Sequence, residues 1–431
     1  MPSPSRRAVL ASAALFAAGR LSAADLPVTG PADANLAPFD DLLAKLVADH
    51  ELPGAAAAVT RAGRLVYARG FGFADAAKKV AVRPDAPFRI ASVSKPVTAA
   101  AILLLVDRGK VALDDAVLKH VALEPFLPGG GKVDPQWAKV TVRQCLQHTG
   151  GWDRDRKKGF DPISIPAQIT KEMKLAGPPT PDEIVRYMLG RPLDFAPGDR
   201  MAYSNLGYLL LGRVIEAATG QKYEPWVKAN VLAPVGAAGM ALARALPENR
   251  AKGEVGYHDS EWRTGRCLYP PRANQRVPLP DGAMNVEAFE AHGGWVASAV
   301  DLVRFATAFD GGAGALLSAD ARAAAWARPS GAAGTDKTGK PRAAYYGCGW
   351  SVRPIGKGGR VNAWHDGLIP GTNTLLVRRF DGLTWAVLFN SDATVCGDYP
   401  SSLVDGPMHA AADAVKTWPE GDLFEKFPPG K

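Results

Sequence analysis

The sequence predicts an α+β fold: a mainly antiparallel sheet flanked by helices, with a helical region inserted between the two halves of the sheet. Hairpin signals at both ends of the chain support this prediction. One lies within 55–67, where two apolar runs surround a turn that ends at Gly63. The other lies within 374–390, where the runs are joined through Asp381-Gly382, a common hairpin turn. Short helices dominate the chain between them, so we expect one sheet built from both ends of the chain.

Helices are predicted where apolar residues recur at helical spacing between Gly, Pro or polar residues. These segments are 36–50, 92–109, 142–147, 182–189, 206–219 and 408–417. The second of them begins at Ser92 and ends at Gly109, a helix-stop residue.

The domain organisation follows from this order of elements. We expect a sheet domain made of 30–110 and 290–420, and a helical region at 111–289. Within the helical region, 247–283 is a long, polar, proline-containing stretch without a clear signal for secondary structure. Loops of this length are usually functional or mobile, so this stretch is a candidate lid over the site that could set specificity.

Composition and charge exclude several classes of protein. The chain has 431 residues, 47% hydrophobic and 22% charged, which is typical of a globular protein and not of a disordered or fibrous one. The net charge of +8 is spread along the sequence without a basic run or a nucleic-acid-binding motif, so we expect no nucleic-acid partner. The four cysteines and seven histidines lack metal-ligand spacing, so we expect no metal and no cofactor. The cysteine positions do not decide between a disulfide and free thiols.

The first residues resemble a secretory signal peptide. Arg6 and Arg7 precede an apolar run at 8–18, and small residues follow at 22–24. We therefore predict a twin-arginine-like signal at 1–24 and export to a bacterial periplasm. The apolar run is too short for a stable membrane anchor. The alternative is a disordered tail or an amphipathic surface helix.

The main catalytic signal is an S-x-x-K sequence formed by Ser92 and Lys95 at the start of a predicted helix. Residues three apart share one face of a helix, so the hydroxyl and the amine can meet. Serine needs a nearby base to act as a nucleophile, and a desolvated lysine can lose its proton and serve as that base. The alternative is a serine that caps the helix and a lysine on the surface.

Two further short motifs carry polar groups suited to the same reaction. Tyr203 and Asn205 lie at a corner between a loop and a helix, where a tyrosine with a lowered pKa could exchange a proton with the serine. His365, Asp366 and Gly367 precede the late hairpin; we expect His365 at the start of an edge strand, where it could steer Tyr203 electrostatically. Gly367 would let a substrate backbone come close.

Together, these three motifs resemble the serine β-lactamase and penicillin-binding superfamily, in particular its class C-like branch of esterases, D-aminopeptidases and carboxypeptidases. The resemblance spans about 37–395. It includes further familiar segments at 146–151, 293–298 and 346–350. It implies a β-lactamase/transpeptidase-like fold.

The resemblance also implies a role for each residue of the motifs. Ser92 would attack the carbonyl carbon, while Lys95 and Tyr203 share its proton and pass it to the leaving group. Asn205 would bind the acyl side chain. The backbone amides of Ser92 and Leu368 would form the oxyanion hole. Water would then release the acyl group, with Tyr203 as its activator.

The sequence departs from the superfamily's pattern at Asp366, where many relatives have a threonine that helps to hold a substrate carboxylate. An ionised carboxylate at this position would repel an anionic substrate. We therefore expect an ester, a lactone, or an amide with a neutral or cationic end as the substrate.

Three functions stay open from the sequence. The first is a serine hydrolase that acts on small-molecule esters or amides through an acyl-enzyme on Ser92. The second is a penicillin-binding D-peptidase or a weak β-lactamase. The third, from a different class, is a catalytically silent binding module of the cell envelope. The natural substrate and the oligomeric state cannot be read from the sequence.

Overall fold

The computed structural model describes residues 22–155, 161–312 and 314–429. Its centre is an antiparallel sheet of nine strands within that part of the chain. In chain order the strands of the protein are β1 (Val28–Thr29), β2 (Gly54–Arg61), β3 (Arg64–Asp75), β4 (Val80–Ala81), β5 (Phe88–Arg89), β6 (Ala241–Leu242), β7 (Thr264–Arg266), β8 (Arg276–Pro278), β9 (Trp295–Ala297), β10 (Tyr345–Tyr346), β11 (Ser351–Pro354), β12 (Val361–Ile369), β13 (Thr372–Arg378) and β14 (Leu383–Phe389).

The central sheet runs in the order β1-β3-β2-β14-β13-β12-β11-β10, with β4 beside β3. The pairing of β2 with β14, in which Val59 lies opposite Trp385, joins the two ends of the chain in one sheet. Strands β5, β9 and β6 form a small second sheet, and β7 pairs with β8. The predicted α+β fold with a mainly antiparallel sheet is confirmed. The predicted domain boundaries stay a prediction.

The α-helices flank this sheet. They are α1 (Ala37–Asp49), α2 (Ser94–Asp107), α3 (Val142–Leu146), α4 (Pro166–Met173), α5 (Pro181–Leu189), α6 (Asn205–Thr219), α7 (Tyr223–Val227), α8 (Glu290–Gly293), α9 (Ala299–Ala306), α10 (Ala319–Ala325) and α11 (Pro400–Ala414). No helix in the described ranges is both long and apolar enough to cross a membrane.

The alternation of side chains along the strands creates two cores. On β2, Ala55 and Ala57 face a core shared with α1 and α11, whereas Ala56 and Ala58 face the larger core shared with α2 and the helical region. A sheet with helices on both faces must be apolar on both faces, which explains why β2 is an almost continuous apolar run. Helix α2 is therefore held between the sheet and the inserted helices.

The structure bears on the expectations for 247–283 and for the four cysteines. The stretch 247–283 is not wholly irregular, because Gly265 in β7 pairs with Val277 in β8 to make a short hairpin. The four cysteines are free: Cys396 is exposed, and the other three are buried. Of the predicted signal peptide, residues 1–21 lie outside the described residues.

Candidate active site

Ser92 lies on a tight turn that enters α2. The turn is a single stretch of 3₁₀ helix, and Ala91 within it has a φ of +46°, a conformation that a non-glycine residue keeps only when its surroundings enforce it. Those surroundings are visible at Ile90. Its N–H donates to the carbonyl of Trp295 (3.0 Å), and its carbonyl accepts from the hydroxyl of Thr374 (3.0 Å). Strands β9 and β13 thus fix the position of the serine.

The ammonium nitrogen of Lys95 is enclosed by three hydrogen-bond acceptors. Its Nζ donates to Ser92 Oγ (3.1 Å), to Asn205 Oδ1 (2.8 Å) and to the backbone carbonyl of His292 (2.7 Å). The side chain is completely buried. The alternative interpretation, a surface lysine beside a capping serine, is wrong. His292 is also buried, and its backbone carbonyl lies against Lys95.

Burial lowers the pKa of Lys95 well below its ordinary value, because the charged form loses its hydration. The positive charge of Arg154 lowers this pKa further, while Asp161 and Asp366 oppose the shift. A lysine in this state readily gives up its proton, and a neutral amine 3.1 Å from a serine hydroxyl is placed to act as its base.

Tyr203 adds a phenol to the same centre. Its ring centroid lies 4.7 Å from Lys95 Nζ and 4.4 Å from the guanidinium carbon of Arg154. Burial raises the pKa of Tyr203, against the opposing effects of Ser92 and Arg154. The lowered pKa assumed from the sequence is therefore wrong for the free site. The raised pKa keeps the phenol protonated at neutral pH.

His365 lies inside β12, between β11 and β13, and not at the start of an edge strand as expected, because β10 and β11 extend the sheet beyond it. Its Nδ1–H donates to the carbonyl of Asp366 (2.6 Å), and its Nε2 accepts from the hydroxyl of Tyr346 (2.8 Å). Burial lowers the pKa of His365 to about 4, so the ring is neutral at pH 7. Steering of Tyr203 by a positive charge on His365 is therefore not expected at pH 7, because the neutral ring has no net charge.

Tyr203 is instead positioned by packing. The ring of His148 lies 4.2 Å from that of Tyr203 and 4.3 Å from that of Tyr346 (centroid to centroid). The Nδ1 atom of His148 accepts from the backbone N–H of Ser204. His148 thus holds both the ring and the backbone next to Tyr203, and Tyr346 links this cluster to His365.

The three residues after His365 form the rim of the site. Asp366 and Leu368 are exposed, and Gly367 is buried between them. A Cβ atom on Gly367 would lie only 2.3 Å from the carbonyl oxygen of Ile90 and 2.3 Å from Thr374 Oγ1. The glycine is therefore needed for close contact between β12 and the turn that carries the serine, and the substrate-approach role expected from the sequence stays a prediction.

The structure adds groups that the motifs did not reveal: Arg154, Asp161 and the carbonyl of His292. Asp161 Oδ2 accepts a hydrogen bond from Asn205 Nδ2, and its carboxylate lies 3.9 Å from Arg154. In the sequence, Asp161 precedes Pro162 and signals only a cap for a short helix, and a backbone carbonyl gives no signal at all. Among the described residues, no group of three or more His, Cys, Asp or Glu side chains is arranged to hold a metal ion.

This combination of fold and site defines a class of protein. A sequence model of the beta-lactamase family matches residues 39–400, and the chain belongs to that family. The resemblance drawn from the three motifs is confirmed.

Individual relatives add detail. The chain is 35% identical over 250 residues to esterase EstB from Burkholderia gladioli, an alignment that covers 57% of this chain and 59% of the esterase. The chain thus spans about three fifths of the length of that curated relative. Two solved structures share the fold. EstCE1, a hydrolase with promiscuous acyltransferase activity, has a TM-score of 0.66 and 20% identity, covering 89% of this chain and 99% of its own. The D-amino acid amidase of Ochrobactrum anthropi SV3 has a TM-score of 0.63 and 22% identity, with the same coverage.

Proposed function

We propose that the protein is a serine hydrolase that forms an acyl-enzyme on Ser92 and acts on small-molecule esters or amides. The observation that carries this proposal is the contact between Ser92 Oγ and the buried Lys95 Nζ at 3.1 Å, with the pKa of the lysine lowered. The relationship to esterase EstB supports the ester substrate, and the shared fold with a D-amino acid amidase is consistent with an amide.

The proposed reaction begins with neutral Lys95. The amine takes the proton of the Ser92 hydroxyl as Oγ forms a bond to the acyl carbon, and the negative charge moves to the carbonyl oxygen. We assign the backbone amides of Ser92 and Leu368 to the oxyanion hole. The protonated lysine then returns its proton to the departing alkoxide or amine. We assign a part in this proton transfer to Tyr203, the neighbouring phenol. Water releases the acyl group by the reverse sequence.

A penicillin-binding D-peptidase or weak β-lactamase is the second candidate, because the same centre would perform that chemistry. The exposed carboxylate of Asp366 disfavours it, since substrates of both kinds carry a carboxylate that an ionised side chain repels. A silent binding module is the third candidate. The complete set of contacts around Lys95 argues against it, because a binding role does not require a desolvated base.

The first experiment is intact mass spectrometry after incubation with a fluorophosphonate probe. The wild type should gain one adduct, and the Ser92→Ala variant should gain none. Ser94→Ala is the matched control, because Ser94 is a neighbouring buried serine whose Oγ accepts from the backbone of Trp295, and it should keep the adduct. A folded wild type without an adduct would favour the silent binding module. A screen of neutral esters, amides and β-lactams then separates the first two candidates.

We also propose export to a periplasm, on the sequence of 1–24 alone. Expression of the full chain in a bacterium and sequencing of the amino terminus of the periplasmic fraction tests it. A protein that keeps Arg6 and Arg7 and stays in the cytoplasm would contradict export.

A further inference from the structure

Asp161 is a buried carboxylate in the site that the proposed reaction does not use. It is nine-tenths buried and stands just before a short 3₁₀ turn, Pro162–Ser164. Both of its oxygens accept from fixed donors: Oδ1 from the backbone N–H of Ile163 (3.3 Å) and Oδ2 from Asn205 Nδ2. An ionised carboxylate can accept hydrogen bonds at both of its oxygens, whereas an amide of the same shape can accept at only one.

This contact determines which way the amide of Asn205 points. Since Nδ2 faces the carboxylate, Oδ1 must face the opposite direction, where it accepts from Lys95 Nζ (2.8 Å). The carbonyl of His292 is a second fixed acceptor. Nζ has three positions besides its bond to carbon, and two of them must hold N–H groups that donate to these two acceptors. When Lys95 is neutral, the third position is its lone pair, and that position faces Ser92.

We propose that Asp161 is a positioning residue that holds the amide of Asn205 in the orientation that directs the lone pair of Lys95 at Ser92. The inference rests on the proposed function, because it assigns a task to Lys95 as base. A flipped Asn205 would present an N–H group to Lys95. The neutral amine would then direct its lone pair at that N–H and away from the serine.

Several charged and titratable groups surround Lys95 and would shape the pH profile of the reaction. The charges of Arg154, Asp161 and Asp366 shift its pKa. The other titratable groups next to it are His148, His292, His365, Tyr203 and Tyr208. Asp161 raises the pKa of Lys95, so loss of its charge alone lowers that pKa and moves the rise of activity to lower pH.

The Asp161→Asn variant separates orientation from charge. An amide can satisfy only one of the two donors, so its NH₂ group must face either Asn205 or Ile163. We expect the fluorophosphonate labelling rate on the high-pH plateau to fall about 10- to 100-fold, with KM for a neutral ester changed less than about threefold. A profile that only moves to lower pH with its plateau unchanged would overturn the proposal in favour of a charge effect. A large rise of KM confined to amine-bearing substrates would overturn it in favour of substrate binding.

A double-mutant cycle tests whether Asp161 acts through Asn205. In an Asn205→Ala background, Asp161→Asn should lower the labelling rate by less than about threefold, because the group that it orients is gone. Equal losses in both backgrounds would contradict the proposal.

The same cycle on the midpoint of urea unfolding needs no substrate, and we expect the two changes to be non-additive there as well. If the two substitutions shift the urea midpoint additively, Asp161 does not hold Asn205. If Asp161→Asn fails to fold, Asp161→Ser, which keeps an acceptor, replaces it in both cycles. Labelling of the wild type reports on the proposed function separately, and the unfolding cycle tests this inference even where labelling fails.

Discussion

The two walls of the site are built differently. The wall made by α2 and α6 is closed: Lys95 and Asn205 are buried, and each of their polar atoms at the site has a partner. The wall made by the end of β12 is open, since Asp366 and Leu368 are exposed. The carboxylate of Asp366 has no hydrogen-bond or salt-bridge partner among the residues that the structure describes. The fold therefore fixes the groups that we propose for proton transfer, and we expect the exposed rim to contact the substrate.

The largest expected effect comes from breaking the closed wall at Lys95. Lys95→Ala should reduce the rate of fluorophosphonate labelling by about 10³-fold, because the serine loses its base. Lys95→Arg is the control for charge and size: guanidinium does not deprotonate, so this variant should be equally slow. Labelling within tenfold of the wild type in either variant would show that the proton leaves Ser92 by another route.

The second effect concerns the buried ring of His365, which connects the two walls. Burial lowers its pKa from 6.5 to about 4 in the folded protein, so the unfolded chain binds a proton first as the pH falls. The stability contributed by the neutral ring is present above pH 6.5 and is lost between about pH 6.5 and pH 4, by about 3 kcal/mol. Urea unfolding at pH 7 and at pH 4 measures it.

His365→Asn is the control for that measurement, because asparagine does not titrate. The variant should lose less stability than the wild type over the same pH interval. Equal losses in the two proteins would assign the pH dependence to other histidines whose pKa values burial lowers, among them His148, His258 and His292.

The third effect tests the contact by which the rim holds the nucleophile. Gly367→Ala should lower the free energy of unfolding by about 2 kcal/mol, since its Cβ would meet the Ile90 carbonyl and Thr374 at 2.3 Å. It should also slow labelling, because the turn must shift. Gly177→Ala is the matched control, for no atom lies within 4 Å of the added carbon. Urea unfolding compares the two. A Gly367→Ala variant as stable as the control would mean that the two walls move independently.

The sequence predicted the fold and the pair of Ser92 and Lys95 better than it predicted the other contacts of the two walls. Alternating apolar residues and the Asp381-Gly382 turn were enough for the sheet, because strand period and turn chemistry are local. Ser92 and Lys95 were visible for the same reason, since their spacing on one helix brings them together. The first turn of that helix is a 3₁₀ turn, which the apolar pattern alone does not distinguish.

The partners of Lys95 come from distant parts of the chain. Asn205 is 110 residues away and the carbonyl of His292 is 197 residues away. Such contacts depend on how α6 and α8 pack against α2, which no local pattern encodes. The pKa of Tyr203 was misjudged for a related reason: its sign depends on burial of the phenol, and burial is a property of the assembled site.

The smallest expected effect sharpens the role of the open wall. Asp366→Thr should raise kcat/KM for an ester with a free carboxylate by about fivefold, because a charge a few ångströms away in a hydrated rim contributes about 1 kcal/mol. It should leave the matched neutral ester unchanged. Asp366→Asn separates removal of the charge from the added hydroxyl of threonine. The difference between the two esters should shrink in 1 M salt, where exposed charges are screened within about 3 Å. An unchanged preference in both variants would mean that Asp366 does not face the substrate, and the selection against carboxylates would then have to lie elsewhere on the rim.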